Sequence, residues 1–286
     1  MQCFKCGFSG KRFQSFLIIL LISFAGNSDA TSPEDLISSQ VNYAYANYLG
    51  TGFYTAADRK VQVYHLPFRY TLSDASEDKT GLQLRLPVTI GFLDFDLPDA
   101  IDPNLPSKIE TLSFVPGIQY IYRVNNYWSL SPFLDLGIGH DFETDNSAYV
   151  YGAGVNSLLV FRYTSFNLEI YNEFLFAGNT TEISNVRNEF SRFQTGINFQ
   201  FPLNNKIWNR ETAVSVYYLN YLYFNRLEFL RYLNDPIEVA VQNEVGLTFD
   251  TSPDMKLLGI PFSRIGLGYR FGNDVNVIRL VFGIPF

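Results

Sequence analysis

Cysteine is almost missing from this chain of 286 residues, and the two present, Cys3 and Cys6, both stand at its start. The body of the protein therefore has no disulfide framework, no thiolate metal site and no cysteine nucleophile. Histidine is equally scarce: only His65 and His140 occur, which removes most hydrolytic schemes built on a histidine base. Charged residues make up 17% of the chain, low for a soluble domain, where about a quarter is usual. Long apolar runs are missing too. The one between Phe13 and Phe24 offers about a dozen residues, and a helix needs roughly twenty to cross hydrocarbon.

That run has another reading. Lys5, Lys11 and Arg12 precede it and Ser28-Asp29-Ala30 follows it as a small-x-small cleavage site, the order of a secretory signal peptide over residues 1–30. Cleavage after Ala30 removes both cysteines, and neither stands where a lipoprotein cysteine would. The whole chain carries 21 basic and 28 acidic residues; without Lys5, Lys11, Arg12 and Asp29 these become 18 and 27, a net charge of −9. Nucleic acid is not an expected partner for such a chain.

Aromatic residues are abundant at 17% of the chain, with 27 Phe and 19 Tyr, yet the mean hydropathy is +0.00. Alternation reconciles the two. Ile278, Leu280, Phe282, Ile284 and Phe286 share one face of a terminal strand, and Val277, Arg279, Val281, Gly283 and Pro285 share the other. Leu112, Phe114, Ile118, Tyr120 and Tyr122 likewise oppose Ser113, Gly117, Gln119 and Arg123. Phe193, Ile197, Phe199 and Phe201 oppose Arg192, Gln194, Asn198 and Gln200. Val239, Val241, Val245 and Leu247 oppose Glu238, Gln242 and Glu244, and Ile265, Leu267, Tyr269 and Phe271 oppose Arg264, Gly266, Gly268 and Arg270. The polar face favours Gly, Asn, Gln, Glu and Arg where the wet face of a soluble sandwich would be rich in Lys. This predicts an all-β protein: a transmembrane antiparallel up-and-down barrel of about twelve strands over residues 41–286, after a short lead-in at 31–40. Strands are expected at about 41–50, 60–72, 81–93, 109–124, 127–142, 148–163, 166–177, 187–201, 211–224, 237–250, 257–271 and 275–286.

Connection lengths fit that count. Asn125-Asn126 and Thr164-Ser165 give tight turns at one end, while 98–108 and 225–236 give long loops at the other, and Gly272-Asn273-Asp274 is the short exception. Tyr122, Tyr127, Trp128, Tyr163 and Phe166 gather beside the tight turns as an interfacial aromatic girdle.

Candidate chemistry is thin. His140 beside Asp141 reads as an interfacial histidine, Asp94 and Asp96 as a solvated strand end, and no catalytic residue is assigned. Gly137-x-Gly139, Gly152-x-Gly154 and Gly266-x-Gly268 precede no helix, so they are not nucleotide fingerprints; they face inward and leave room for long neighbours. No cofactor or metal is implied. Asn179-Thr180-Thr181 matches a glycosylation acceptor by coincidence of a short motif. The informative set is a lumen charge network: Arg69, Arg85, Arg123, Arg162, Arg192, Arg264, Arg270 and Arg279 share inward parity with Asp135, Glu169, Glu173, Glu238 and Glu244, and cross-lumen pairing is expected. Such a network either fills the barrel or lines a narrow water path, and the filled form is preferred.

The signal peptide, short lead-in, roughly twelve strands and terminal Val281-Phe282-Gly283-Ile284-Pro285-Phe286 resemble the solitary autotransporter-like outer-membrane β-barrel family of Gram-negative bacteria. The resemblance implies a bacterial outer-membrane location and an assembly signal at Phe282, Ile284 and Phe286. It implies outer-membrane lipid, lipopolysaccharide and the outer-membrane assembly machinery as partners, with a small solute as an alternative occupant of the lumen. It implies no catalytic residues. The expected protein is a non-enzymatic, passenger-free barrel with a structural, surface or narrow-channel role. An outer-membrane hydrolase with a rim site and a substrate-specific porin are the alternatives. On the terminal strand, Leu280 is expected to face lipid and Val281 the lumen, where a larger side chain is tolerated if room exists.

Overall fold

A computed structural model describes residues 46–285 except 49, 57–58, 77–78, 94–110, 143–144, 182–186, 208, 231–235, 258–259, 273–274 and 284. The expected signal peptide and lead-in, Asp94, Asp96, Ile284 and Phe286 lie outside the described residues. Strand β1 covers Gly52–Ala56, β2 Arg59–Ser73, β3 Gly81–Leu93, β4 Thr111–Phe114 and β5 Gly117–Asn125. Then follow β6 (Trp128–Asp141), β7 (Asn146–Arg162), β8 (Asn167–Thr181) and β9 (Arg187–Ile207). The last four are β10 (Arg210–Leu230), β11 (Pro236–Leu257), β12 (Ile260–Gly272) and β13 (Val275–Phe282).

Each strand pairs antiparallel with its sequence neighbours, and β1 closes the ring by pairing with β13, Gly52 opposite Arg279 and Ala56 opposite Val275. The result is a closed antiparallel barrel of twelve strands. Strands β4 and β5 count as one because both keep the same register against β3 and β6. Their ladder is interrupted only at Val115-Pro116, where proline has no N–H to donate. Closure matters physically: with no water in hydrocarbon, every backbone polar group of the wall must be satisfied by a neighbouring strand.

The predicted alternation is present. Ile278 is 44% exposed while its neighbours Val277 and Arg279 are buried, and Leu267 is 57% exposed while Arg270 is fully buried. Outward faces are aliphatic and aromatic; inward faces carry Arg, Glu, Gln, Asn, Tyr and small residues. Short turns cluster at the end where β13 finishes, called here the C-terminal mouth. The β5–β6 turn is held by Asn125, whose Oδ1 accepts the backbone N–H of Tyr127 and Trp128 at 3.0 and 2.9 Å. Aromatic rings meet at the same mouth: Tyr127 stacks on Phe161 at 5.6 Å and Tyr163 lies 4.8 Å from Phe166.

Two expectations need correction. Of the strand expected at 41–50, residues 46–48 are helical and 41–45 lie outside the described residues; the first described strand is Gly52–Ala56. Gly50, at φ +89°, then turns the chain into β1, a conformation that side chains other than glycine resist. Alternating apolar residues in 41–50 suggested a strand, but Asn47 and Tyr48 find better partners inside the barrel than in its wall. The expected loop at 225–236 is mostly strand, because β10 continues to Leu230 and β11 starts at Pro236. Val281 points inward as expected, and at 3% exposure in the apolar part of the lumen it lacks the room that a larger side chain needs.

Candidate functional site in the barrel lumen

The lumen is where the chain concentrates its buried polar chemistry, because a period of two sends alternate residues of every strand to it. Its centre is Glu244 of β11, fully buried between two guanidiniums: Arg270 Nε lies 2.9 Å from Oε2 and Arg279 Nε 3.1 Å from Oε1. Tyr217 and Tyr221 donate their hydroxyls to the same carboxylate at 2.8 and 2.9 Å. Tyr221 Oη in turn accepts from Arg270 and Arg279 at 2.7 and 3.1 Å, and Arg270 lies 4.1 Å above the Tyr221 ring. Arg279 also donates to the carbonyl of Pro285.

Toward the C-terminal mouth, Arg264 holds Glu169 through two parallel bonds of 2.7 and 2.8 Å, with Asp250 Oδ2 3.5 Å from its Nε. Gln200, Ser215 and Thr248 donate to Asp250, and Asn198 donates to Glu169. Across the lumen Arg192 meets Glu173 at 2.6 Å, and Tyr171 donates to the same carboxylate. Arg85 meets Asp135 at 3.0 Å and lies 4.1 Å over the Phe133 ring. Paired bonds of this kind satisfy ions that would otherwise be very costly to bury.

Residues 47 and 48 are tied into this core. Tyr48 donates to Asp135 at 3.0 Å, and its carbonyl accepts from Arg192 at 3.0 Å. Asn47 donates to Ser113 at 2.9 Å and accepts from Thr89 at 2.9 Å, while Thr89 Oγ1 lies 2.9 Å from His65 Nδ1. Gly152 of β7 makes room for Tyr48, since a Cβ there would sit 1.9 Å from the tyrosine hydroxyl.

Of the expected network, the structure brings Arg85, Glu169, Glu173, Arg192, Glu244, Arg264, Arg270 and Arg279 into pairs. Arg69, Arg123 and Arg162 are exposed and form no ion pair among the described residues. The side chain of Glu238, like Ile284 and Phe286 of the expected assembly signal, lies outside the described residues, whereas Phe282 ends β13. Asn47, Tyr48, Tyr217, Tyr221 and Asp250 belong to the network and were missed from sequence. Inward parity would have found Asp250; the tyrosines were hidden because β10 is aromatic on both faces. His140 stands away from the lumen, with Nδ1 3.0 Å from Ser147 Oγ and Nε2 3.7 Å from Asp145. Among the described residues no group of three or more His, Cys, Asp or Glu gathers as metal ligands would.

The sequence matches no known protein family and no curated protein. By shape, the barrel is similar to the β domain of the Bordetella autotransporter BrkA, with a TM-score of 0.51 and 10% identity over 82% of this chain and 96% of that one. LpxR from Salmonella typhimurium is more distant, at a TM-score of 0.39 and 11% identity over 79% of this chain and 88% of that one. The expectation that this chain is not an enzyme is withdrawn. Rim and loop residues can carry chemistry without altering a barrel wall, so non-enzymatic status does not follow from this architecture. The distant likeness assigns no reaction either. Alternating strands, closure of β1 on β13 and the BrkA likeness together make this an autotransporter-like β-barrel of the outer-membrane type.

Proposed function

We propose that this protein is an integral barrel of the bacterial outer membrane whose lumen is closed to diffusion, and that it acts as a structural and surface element through the loops opposite the C-terminal mouth. One observation carries the reading: Arg85, Arg192, Arg264, Arg270 and Arg279 are matched by Asp135, Glu173, Glu169, Asp250 and Glu244, with Asn47 and Tyr48 seated among them. These matched pairs leave no unmatched charge among themselves to hand an ion from site to site, and, being buried, they hold the wall rigid. The aromatic outer surface suits lipid and lipopolysaccharide, and the terminal strand suits the outer-membrane assembly machinery.

Two measurements test this. Membrane fractionation with N-terminal sequencing is expected to recover the protein from the outer membrane with a start near Thr31. In a planar bilayer the pure protein is expected to show no steady conductance. Stable open-channel currents from the wild-type chain would favour the narrow-channel role instead.

A further inference from the structure

The charge balance of the lumen fails at one place. Arg69 and Arg85 stand directly opposite each other in the β2–β3 ladder, both facing inward, and like charges in that position repel. Arg264, Arg270 and Arg279 have Glu169, Asp250 and Glu244 as partners. By contrast, among the described residues, Arg69, Arg85 and Arg192 share Asp135 and Glu173 as carboxylates, each already held by Arg85 or Arg192. Arg69 makes no ion pair or hydrogen bond with any described residue, and Asp74 in the adjoining exposed turn does not reach it.

Access accompanies the surplus charge. Arg69 is exposed although it points inward, as are Pro67 and Thr71 on the same face of β2. Strand β1 pairs with β2 only from Arg59 to Val63, and Thr51 extends the contact to the backbone of His65. Beyond that point, among the described residues, β3 is the only strand beside β2. Among the described residues, no strand covers the flank of Arg69 near the C-terminal mouth. Beside it, the exposed Gln83 side chain donates to Thr71 at 3.3 Å. Arg85 meets Asp135 through its Nε and keeps 16% of its side chain exposed.

We propose that Arg69 and Arg85 form a binding site for a phosphate group, either a free phosphate or the headgroup of a phospholipid reaching in past the open flank of β2. Two guanidinium forks set across one ladder rung suit an oxyanion with several acceptor oxygens, and a bound dianion would offset their mutual repulsion.

The test uses the full-length protein folded in a nonionic detergent at low salt, titrated calorimetrically with inorganic phosphate and, separately, with a short-chain phosphatidic acid. Saturable binding of at least one probe is expected. Arg69→Gln is expected to weaken it at least tenfold while raising the melting temperature, because the unliganded repulsion is gone. Arg123→Gln removes an inward arginine at the same mouth that faces Ser129 rather than another arginine, and is expected to change affinity less than twofold. Should Arg69→Gln fail to fold, Arg69→Lys keeps the charge, loses the fork and is expected to bind more weakly than wild type. Tighter binding of phosphatidic acid than of phosphate assigns the site to a lipid headgroup, and equal affinities assign it to the free ion. Absence of saturable binding to both probes, or an equal loss in Arg69→Gln and Arg123→Gln, overturns the proposal.

Discussion

The hydroxyl of Tyr48 donates a 3.0 Å hydrogen bond to Asp135, reaching from the residues before the first strand into the carboxylate that Arg85 also holds. The contact exists because β7 has glycine at position 152, where any Cβ would stand 1.9 Å from that hydroxyl. A tyrosine ring thus occupies space that the wall leaves empty, and Asn47 and Tyr48 pack inside the lumen.

Gly152→Ala is therefore expected to push Tyr48 out and destabilise the barrel by about 1–3 kcal/mol, the usual cost of overpacking a closed core. Tyr48→Ala in the same background is expected to recover part of that loss, since the added methyl then has room. Thermal melts of the two single variants and the double variant in detergent measure the coupling. Additive effects would separate Tyr48 from Gly152.

Glu244 pairs with both Arg270 and Arg279, and both cations are buried with it. Glu244→Gln leaves two guanidiniums without a counter-charge and is expected to cost about 3–5 kcal/mol, the range for breaking a buried pair from one side. The exposed pair Lys206–Glu211, 3.9 Å apart, supplies the control: Glu211→Gln is expected to cost less than about 1 kcal/mol. Loss of heat-modifiable migration on gels reports both.

Leu267 is 57% exposed on the outer face of β12, opposite the lipid-facing Leu280. Leu267→Arg places a charge in hydrocarbon and is expected to cost roughly 2–4 kcal/mol if it lies near the midplane. Val281→Arg is expected to be damaging as well, but by overpacking, because Val281 is 3% exposed in the lumen. Urea titrations in bilayers distinguish the two: thinner bilayers relieve the lipid-facing variant and leave the lumen variant unchanged.

Removing Phe286 takes away the terminal aromatic of the expected assembly signal. Folded protein in the outer membrane is expected to fall severalfold in cells, while the fraction that folds melts close to wild type. Pulse-chase fractionation with gel-shift detection checks both halves; unchanged assembly would remove Phe286 from that role.

Most of the wall was legible in the sequence. Most strands from β2 to β13 fall within about four residues of the expected bounds, while β9, β10 and β11 run on to Ile207, Leu230 and Leu257, past the expected ends at 201, 224 and 250; a barrel in lipid forces apolar and polar side chains onto opposite faces and so writes a period of two into every crossing. The inward arginines and glutamates follow from the same parity. What parity could not assign is which charge meets which. Glu169 and Arg264 are 95 residues apart, and only the curvature of the closed sheet brings them within 2.7 Å. The same closure decided the fate of residues 46–48. Their apolar alternation resembled a wall strand, but Ser113, Thr89 and Asp135 offered hydrogen bonds inside a space cleared by Gly152, and those bonds outweighed local propensity. Side-chain direction is a local property that the order of residues determines; partners across a lumen depend on the closed ring, and only the tertiary structure decides them.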